Sequence, residues 1–438
     1  MALYPDPAKE RSSAVPPLPA APRYDSGRAL QGGPTSCLLV LPWHLRHTGG
    51  VNEVVKSILR HLSESEEFNP LLLVTTHNNC DLEWDRKQAF PVYYIDLPGP
   101  FEPPNRLRSL LSFVYHLPSR LKRLRTLIRD QNVRVVNAHF PSLGILHVSI
   151  LRTLGLFDGV LVLSFHLNDA IAAEQSHGVS RLAWRYLLRS AESIVVPSSD
   201  LSEPLLQVSP ECRRKLVVIN NGVDVDECSS RAGDLDHDLP ELHGRPVLLS
   251  IGNFEERKGH DDLMRAFVIV RERISDIALI VLGGGRPYVR QLEELRSNLG
   301  LDGSVYFFEN VPHGQVPLHL SRARVFALAT KREGFPLALL EAGAAGLPVV
   351  STRVPGVVDV IQDGVTGRLV EAGDRKALAA AILDLFENPK EAIRLASNFR
   401  QEIHQRLTWH HHFEKYRQVY RDVAGGAANC ECAHVVEK

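Results

Sequence analysis

A chain of 438 residues with 50 basic and 51 acidic side chains, a net charge of −1 and 44% apolar residues has room for two or three cores at about 100 to 200 residues per domain. The near-neutral balance argues against a general nucleic-acid binder, and no run of roughly 18 apolar residues is present to cross a membrane as a helix. Six scattered cysteines lack zinc-ribbon spacing, which predicts reduced thiols and a cytoplasmic location, with Cys430 and Cys432 idle in a frayed tail.

Residues 1–34 carry Asp6, Lys9, Glu10, Arg11 and many prolines instead of the apolar core of a signal peptide, and predict a disordered tail. Short apolar, β-branched runs then alternate with helical segments. They are Cys37 to Leu41, Leu71 to Thr75, Val92 to Ile95, Val133 to Ala138, Val160 to Phe165, Ile194 to Val196 and Leu216 to Ile219. Such runs predict a parallel sheet covered on both faces. The period fades across an acidic stretch with Gly233, Pro240 and Gly244, read as a linker over 226–245. It resumes at Val247 to Ile251, Ile277 to Leu282, Val305 to Phe308, Val325 to Ala329, Val349 to Ser351 and Arg368 to Val370. The expected fold class is α/β, with two doubly wound, Rossmann-like domains at 35–225 and 246–408 facing each other across a cleft. A second tail is expected at 424–438.

Gly49-Gly50 ends the loop after the first strand and opens an apolar-periodic helix, a turn at which backbone approaches a ligand closely or simply turns tightly. Residues 106–130 hold Arg106, Arg108, Arg120, Lys122, Arg123, Arg125 and Arg129 beside a Leu121, Leu124, Leu127, Ile128 face. That basic amphipathic helix reads either as a domain helix with a solvated face or as a peripheral contact with an anionic membrane. His166 closes the run Leu161 to Phe165, where a strand end faces the cleft. In the second half, Lys258 follows the first strand and is suited to neutralising a leaving diphosphate. Gly283-Gly-Gly285 reads as a turn set by backbone geometry.

Glu333 and Glu341 stand eight residues apart across Gly334-Phe335-Pro336-Leu337. Pro336 suits the first position of a helix, Gly334 supplies the turn, and Gly346 and Pro348 end the helix near Ala345. A helix start has free amides and a positive dipole end, so an anion is stabilised there. Glu341 lies about 7.5 Å along the axis at ~1.5 Å per residue. The pair is placed to bracket a nucleotide diphosphate-sugar, Glu333 at the sugar and Glu341 at the ribose. The plainer reading is an ordinary helix with one capping and one solvated acid. Asp224-Val-Asp226 and Asp234-Leu-Asp236 spell a metal-binding triplet by chance at the linker, and His410-His-His412 fans around a helix, so no metal is expected.

The run Glu333-Gly-Phe-Pro-Leu-Ala-Leu-Leu-Glu-Ala-Gly-Ala-Ala-Gly-Leu-Pro-Val-Val350, with Pro355-Gly356 and Asp363-Gly-Val-Thr-Gly367, resembles the donor domain of the family-4 retaining glycosyltransferases of the GT-B fold. The resemblance implies transfer of a hexose from a UDP-, GDP- or ADP-sugar to an acceptor hydroxyl, without a metal or other cofactor. It assigns His166 and Glu333 to the reacting end of the sugar. Donor contacts then fall to Gly49, Gly50, Asn253, Lys258, Gly334, Phe335, Leu337 and Glu341. Asn253 stands where the family has an arginine, with Arg257 as its substitute. The resemblance further implies a front-face displacement and a final helix, 409–423, that crosses back to the first domain. A sugar-nucleotide epimerase or phosphorylase of related fold, or a non-catalytic nucleotide-sugar binder, are the alternatives. A dehydrogenase is disfavoured because the G-x-G-x-x-G fingerprint is missing.

Overall fold

Each apolar run read from the sequence forms a strand, because helices on both sides shield it from water. The structure, a computed structural model, describes residues 33–46, 49–76, 85–229, 242, 244–285 and 288–425. The expected tails and linker lie largely outside these residues, as do Asp234, Asp236, Cys80, Cys430 and Cys432.

The first sheet contains β1 (Thr35–Leu41), β2 (Phe68–Val74), β3 (Val92–Tyr94), β4 (Val133–His139), β5 (Val160–Ser164), β6 (Ser193–Val196) and β7 (Leu216–Val218). All pair in parallel in the order β3-β2-β1-β4-β5-β6-β7, with Leu38 between Leu71 and Val136. The second contains β8 (Val247–Ile251), β9 (Ala278–Gly283), β10 (Val305–Glu309), β11 (Val325–Leu328), β12 (Val349–Thr352) and β13 (Arg368–Val370), in the order β10-β9-β8-β11-β12-β13. The winding direction therefore reverses between β1 and β4 and between β8 and β11. Crevices outside the carboxyl ends at such points are where open sheets bind ligands.

The helices of the first half are α1 (Gly50–Glu64), α2 (Arg106–Asp130), α3 (Leu146–Thr153), α4 (Asn168–Glu174), α5 (Gly178–Ser190) and α6 (Ser202–Val208). The second half adds α7 (Val225–Ser229), α8 (His260–Arg273), α9 (Tyr288–Asn298), α10 (Val316–Arg322), α11 (Leu337–Ala344), α12 (Arg375–Glu387), α13 (Pro389–Arg406) and α14 (Trp409–Ala424). Short α7 lies at the start of the expected linker. Asp224 caps it by accepting the Glu227 amide at 3.0 Å, and Val225 and Cys228 join the second domain's core. Five residues are too few to show a helical period, which is why the sequence reads as linker there.

α2 to α6 cover one face of the first sheet, while α1 and α14 cover the other. α14 comes from the far end of the chain and inserts Phe413, Tyr416, Val419 and Tyr420 among β1 and α1 residues. Its aromatic hydroxyls reach polar groups inside the sheet. Asn137 donates to the Tyr420 oxygen at 2.7 Å, Tyr416 donates to Ser164 at 3.1 Å, and Ser164 donates to Asn137 at 2.9 Å. Tyr420→Phe leaves the buried Asn137 amide without its acceptor, at a cost of about 1–3 kcal/mol. A lowered thermal midpoint with an unchanged native circular dichroism spectrum is expected; an unchanged midpoint would contradict the role assigned to this bond.

Candidate active site

The site forms where loops from the two domains touch. Gly334 leaves the loop after β11, and a Cβ placed on it would sit 2.0 Å from the His166 carbonyl oxygen. Only a residue without a side chain permits that approach. Asn221 adds a second tie across the cleft by donating its amide to the Phe335 carbonyl at 3.2 Å. The Phe335 ring is buried in the second domain's core, so its backbone alone is available to a ligand.

Pro336 is the cap of α11, with φ −77° and ψ 107°, one residue earlier in role than its predicted place inside the first turn. The extended ψ explains the shift: proline fixes φ alone, and the helical ψ begins at Leu337. Leu337 faces the glycine pair of the other domain, its Cδ1 3.4 Å from where a Cβ on Gly50 would lie. Gly49 holds φ +154° at the start of α1. The α11 amides and the glycine loop thus look at each other across the crevice.

Glu333 is 6% exposed. Lys258 Nζ lies 2.6 Å from its Oε1, and Arg257 Nη1 lies 3.7 Å from its Oε2. Backbone contacts lock these loops together, since Lys331 N–H and the Thr330 hydroxyl both donate to the Arg257 carbonyl at 2.7 and 3.0 Å. Arg257 therefore brings a cation to the carboxylate, whereas Asn253 is exposed, with its amide 3.4 Å from Glu255. Gly283 packs on the Gly252 carbonyl, 2.4 Å from a Cβ placed there, so close backbone packing accounts for that turn.

Glu341, on α11, is buried, and burial pushes its carboxyl up, with His313 opposing. His313 stands between Glu341 at 3.8 Å and Glu53 of α1 at 3.9 Å, a link from one domain to the other. On the opposite wall, His166 is largely enclosed, and its Nε2 is 3.3 Å from His139 Nδ1. Burial and the neighbouring His412 lower His166 to about 3, so the ring is neutral near pH 7. Asp169 anchors the loop by accepting the amides of His166, Leu167 and Ala170, yet burial raises it to about 6.

The structure brings His166, Glu333, Gly334, Lys258, Gly50 and Leu337 to one place, with Glu341 one helical step behind. Sequence reading missed His139, His313 and Glu53, and met His412 only as part of a histidine triplet fanned around a helix. His139 had the same signal as His166, a histidine at the end of an apolar strand. Among the described residues, no group of three or more His, Cys, Asp or Glu side chains is placed to hold a metal ion.

Residues 48–227 match the family model described as Glycosyltransferase Family 4, and residues 234–402 match that of Glycosyl transferases group 1. The chain belongs to the family-4 glycosyltransferases. Within that family it is 37% identical over 158 residues to the GDP-mannose-dependent alpha-(1-6)-phosphatidylinositol monomannoside mannosyltransferase of Mycolicibacterium smegmatis, covering 34% of this chain and 41% of that protein. That match spans less than half of the relative's length. The phosphatidyl-myo-inositol mannosyltransferase of Mycobacterium leprae is 28% identical, over 72% of this chain and 80% of its own. Anabaena HepE in complex with UDP and glucose superposes with a TM-score of 0.72 at 18% identity, covering 88% of this chain and 99% of that one, which establishes the GT-B fold. Sucrose-phosphate synthase of Thermosynechococcus elongatus gives 0.73 at 21% identity, over 90% and 100%.

Burial lowers His412 to about 4, as it lowers His166 and His260, so the folded family member keeps these rings neutral. The unfolded chain takes up protons near pH 6.5, and acidification from there toward pH 4 therefore favours unfolding. Asp169, raised to about 6, works the other way over part of that window. His412→Asn removes one ring, and its stability loss between pH 6.5 and 4 is expected to be smaller than wild type by on the order of 2 kcal/mol. Parallel urea titrations across that range check it; identical slopes would show that His412 does not titrate on unfolding.

Proposed function

We propose that this protein transfers a hexose from a nucleoside diphosphate-sugar to an acceptor hydroxyl with retention of anomeric configuration. The observation that carries the reading is Glu333 held by Lys258 at the mouth of α11, with Glu341 further along the same helix. The diphosphate takes the α11 amides and the Lys258 and Arg257 charges, which stabilise the anion as the bond to the sugar breaks. Lys258 then exchanges part of its contact with Glu333 for phosphate, freeing that carboxylate for sugar hydroxyls. Glu341 accepts the ribose hydroxyls. His166, neutral, serves as a hydrogen-bonding partner of the sugar instead of an acid.

In the front-face course, the bond from the anomeric carbon to the phosphate oxygen breaks while the acceptor oxygen bonds to that carbon on the same side. The acceptor proton passes to an oxygen of the departing diphosphate. No metal is required, since helix amides and the two cations supply the positive field. Support for a GDP- or UDP-sugar comes from the names of the mannosyltransferase relatives and of the HepE complex.

A thermal-shift series with UDP, GDP and ADP identifies the donor nucleotide, because a ligand at 100 times its Kd stabilises the fold by about 2.7 kcal/mol. Glu333→Ala is expected to reduce transfer by about 10²–10³-fold. Glu341→Ala is expected to weaken nucleotide affinity by about 10- to 100-fold, the loss of hydrogen bonds to a charged group. Wild-type turnover in both variants would overturn the assignment.

The acceptor domain also carries a surface fit for an anionic membrane. The second half of α2 turns Leu124, Leu127 and Ile128 into the core, but its first half leaves Leu107, Leu111, Val114 and Tyr115 exposed, 59% to 81%, along one helical stripe. Arg106, Arg108, Lys122, Arg123 and Arg125 lie exposed on the same helix. No described helix is long and apolar enough to cross a membrane, so contact here is peripheral. Sedimentation with phosphatidylserine vesicles should show binding that weakens with salt and with Leu111→Glu. Equal pelleting with neutral vesicles would remove the electrostatic part, and no pelleting would remove the idea.

A further inference from the structure

Two aromatic rings stand at the switch point of the first sheet without joining either of its cores. Trp43 follows the end of β1, and Phe140 follows the end of β4, the adjacent strand across which the winding reverses. Their centroids are 4.8 Å apart with planes at 62°, so they form a corner, and both are half-buried. Large apolar rings in a folded chain ordinarily join a core, and these two are packed on each other at the crevice instead.

Both are fixed in that position. The Trp43 indole N–H donates to the Asn52 side chain at 2.7 Å, and Asn52 sits in the first turn of α1 directly behind the glycine pair. Phe140 holds φ +51°, a left-handed backbone that a bulky residue rarely adopts. Its amide donates to the Ser164 carbonyl at 3.0 Å, which holds the turn. Backbone strain of this kind is retained where the surroundings enforce it, and such positions cluster at ligand sites. A glycine or asparagine would sit there with less strain.

The corner also lies beside the reacting position. His139 precedes Phe140 and touches His166 at 3.3 Å, and the His166 carbonyl abuts Gly334 next to Glu333. A polar rim adjoins it, where Asp85 accepts the Tyr94 hydroxyl at 2.8 Å and pairs with His44 at 3.2 Å. An apolar corner with a polar rim matches a pyranose, which has a face of C–H bonds and an edge of hydroxyls. The positive C–H face meets the negative face of an aromatic ring.

Resting on the transferase reading above, we propose that Trp43 and Phe140 form an acceptor subsite that takes a pyranose ring, so that the accepting hydroxyl belongs to a sugar residue. The second domain holds the donor, and this corner holds the sugar that receives it. Phe140→Gly removes the ring while relieving the backbone, and Trp43→Leu removes the other wall. Trp43→Phe keeps a stacking face and loses only the indole hydrogen bond.

Saturation-transfer NMR on the full chain, with the methyl glycosides of mannose, glucose and galactose as probes, tests the assignment. The titrations are run without nucleotide and with GDP or UDP. At least one glycoside is expected to receive saturation at its ring C–H protons. Phe140→Gly and Trp43→Leu should each lower that signal about tenfold, with Trp43→Phe retaining most of it. The nucleotide-induced thermal shift should be unchanged in all three. Glycoside signals that are absent from wild type, or undiminished in both ring-deleted variants, overturn the subsite. A chain that binds glycoside through the corner and shows no nucleotide shift keeps the subsite and refutes the donor reading, so the two failures are distinguishable.

Discussion

Everything at the cleft depends on one close approach, the His166 carbonyl against a glycine with no Cβ. At 2.0 Å from the Gly334 Cβ position, that oxygen sets the distance between the two domains' loops. The contact fixes where the second domain's carboxylate stands relative to the first domain's histidines. Gly356 reinforces it from behind, since a Cβ there would lie 2.6 Å from the Glu333 carbonyl. The Asn221 bond to the Phe335 carbonyl and the α14 crossing hold the same geometry from the hinge side. A short loop with tightly packed backbone is more exact than one positioned by flexible side chains, and a group-transfer site needs that exactness in the distance between sugar and acceptor.

The charges follow from the geometry. Glu333 is nearly enclosed, and an isolated carboxylate there would be strongly disfavoured. Lys258 and Arg257 remove that penalty. In the transfer proposed above, an arriving diphosphate would bring its own negative charge to the same cations and its sugar hydroxyls to the same carboxylate. The site can therefore exchange internal pairing for ligand pairing without exposing a bare charge at any stage, which favours reversible binding over a permanently satisfied ion pair. The same consideration explains why the cation missing at Asn253 need not leave the phosphate unmatched. Arg257 reaches the carboxylate from the neighbouring turn, held there by Glu255 at 2.7 Å and by its own backbone carbonyl.

The elements were legible because the buried strands are apolar on both faces and the helices between them keep a clear period. The turn into α11 and the end of that helix were legible because Gly334, Pro336 and Gly346 each impose a backbone constraint that depends on residue type. Long-range partnerships were not. His313 meets Glu53 across hundreds of residues, and His412 reaches Asn220 at 2.8 Å only because the last helix returns to the first domain. No local period encodes such a meeting. Trp43 and Phe140 were hidden for a related reason: each follows an unremarkable strand, and only the sheet order makes the two strands neighbours. Pro336 shows the limit at a boundary, since its fixed φ suits both a cap and a first turn and ψ alone separates them.

The two histidines behind Gly334 constrain each other's protons. His139 Nδ1 and His166 Nε2 are 3.3 Å apart, so one of them carries the proton between them. His139 Nε2 is buried without a hydrogen-bond partner. Whichever nitrogen of His139 is protonated, that Nε2 stays unmatched, as a buried donor or as a buried acceptor, at about 1–3 kcal/mol. With the proton on His139 Nδ1, His166 Nε2 accepts; with it on His139 Nε2, His166 Nε2 donates to Nδ1. Burial keeps both rings uncharged, His139 well below its ordinary value and His166 at about 3. A His166 that accepts at Nε2 carries its proton on Nδ1, and one that donates from Nε2 leaves Nδ1 an acceptor, so the two tautomers are linked. The buried imidazole at the end of β4 is thus coupled to the tautomer of His166, two residues past β5, without itself changing charge.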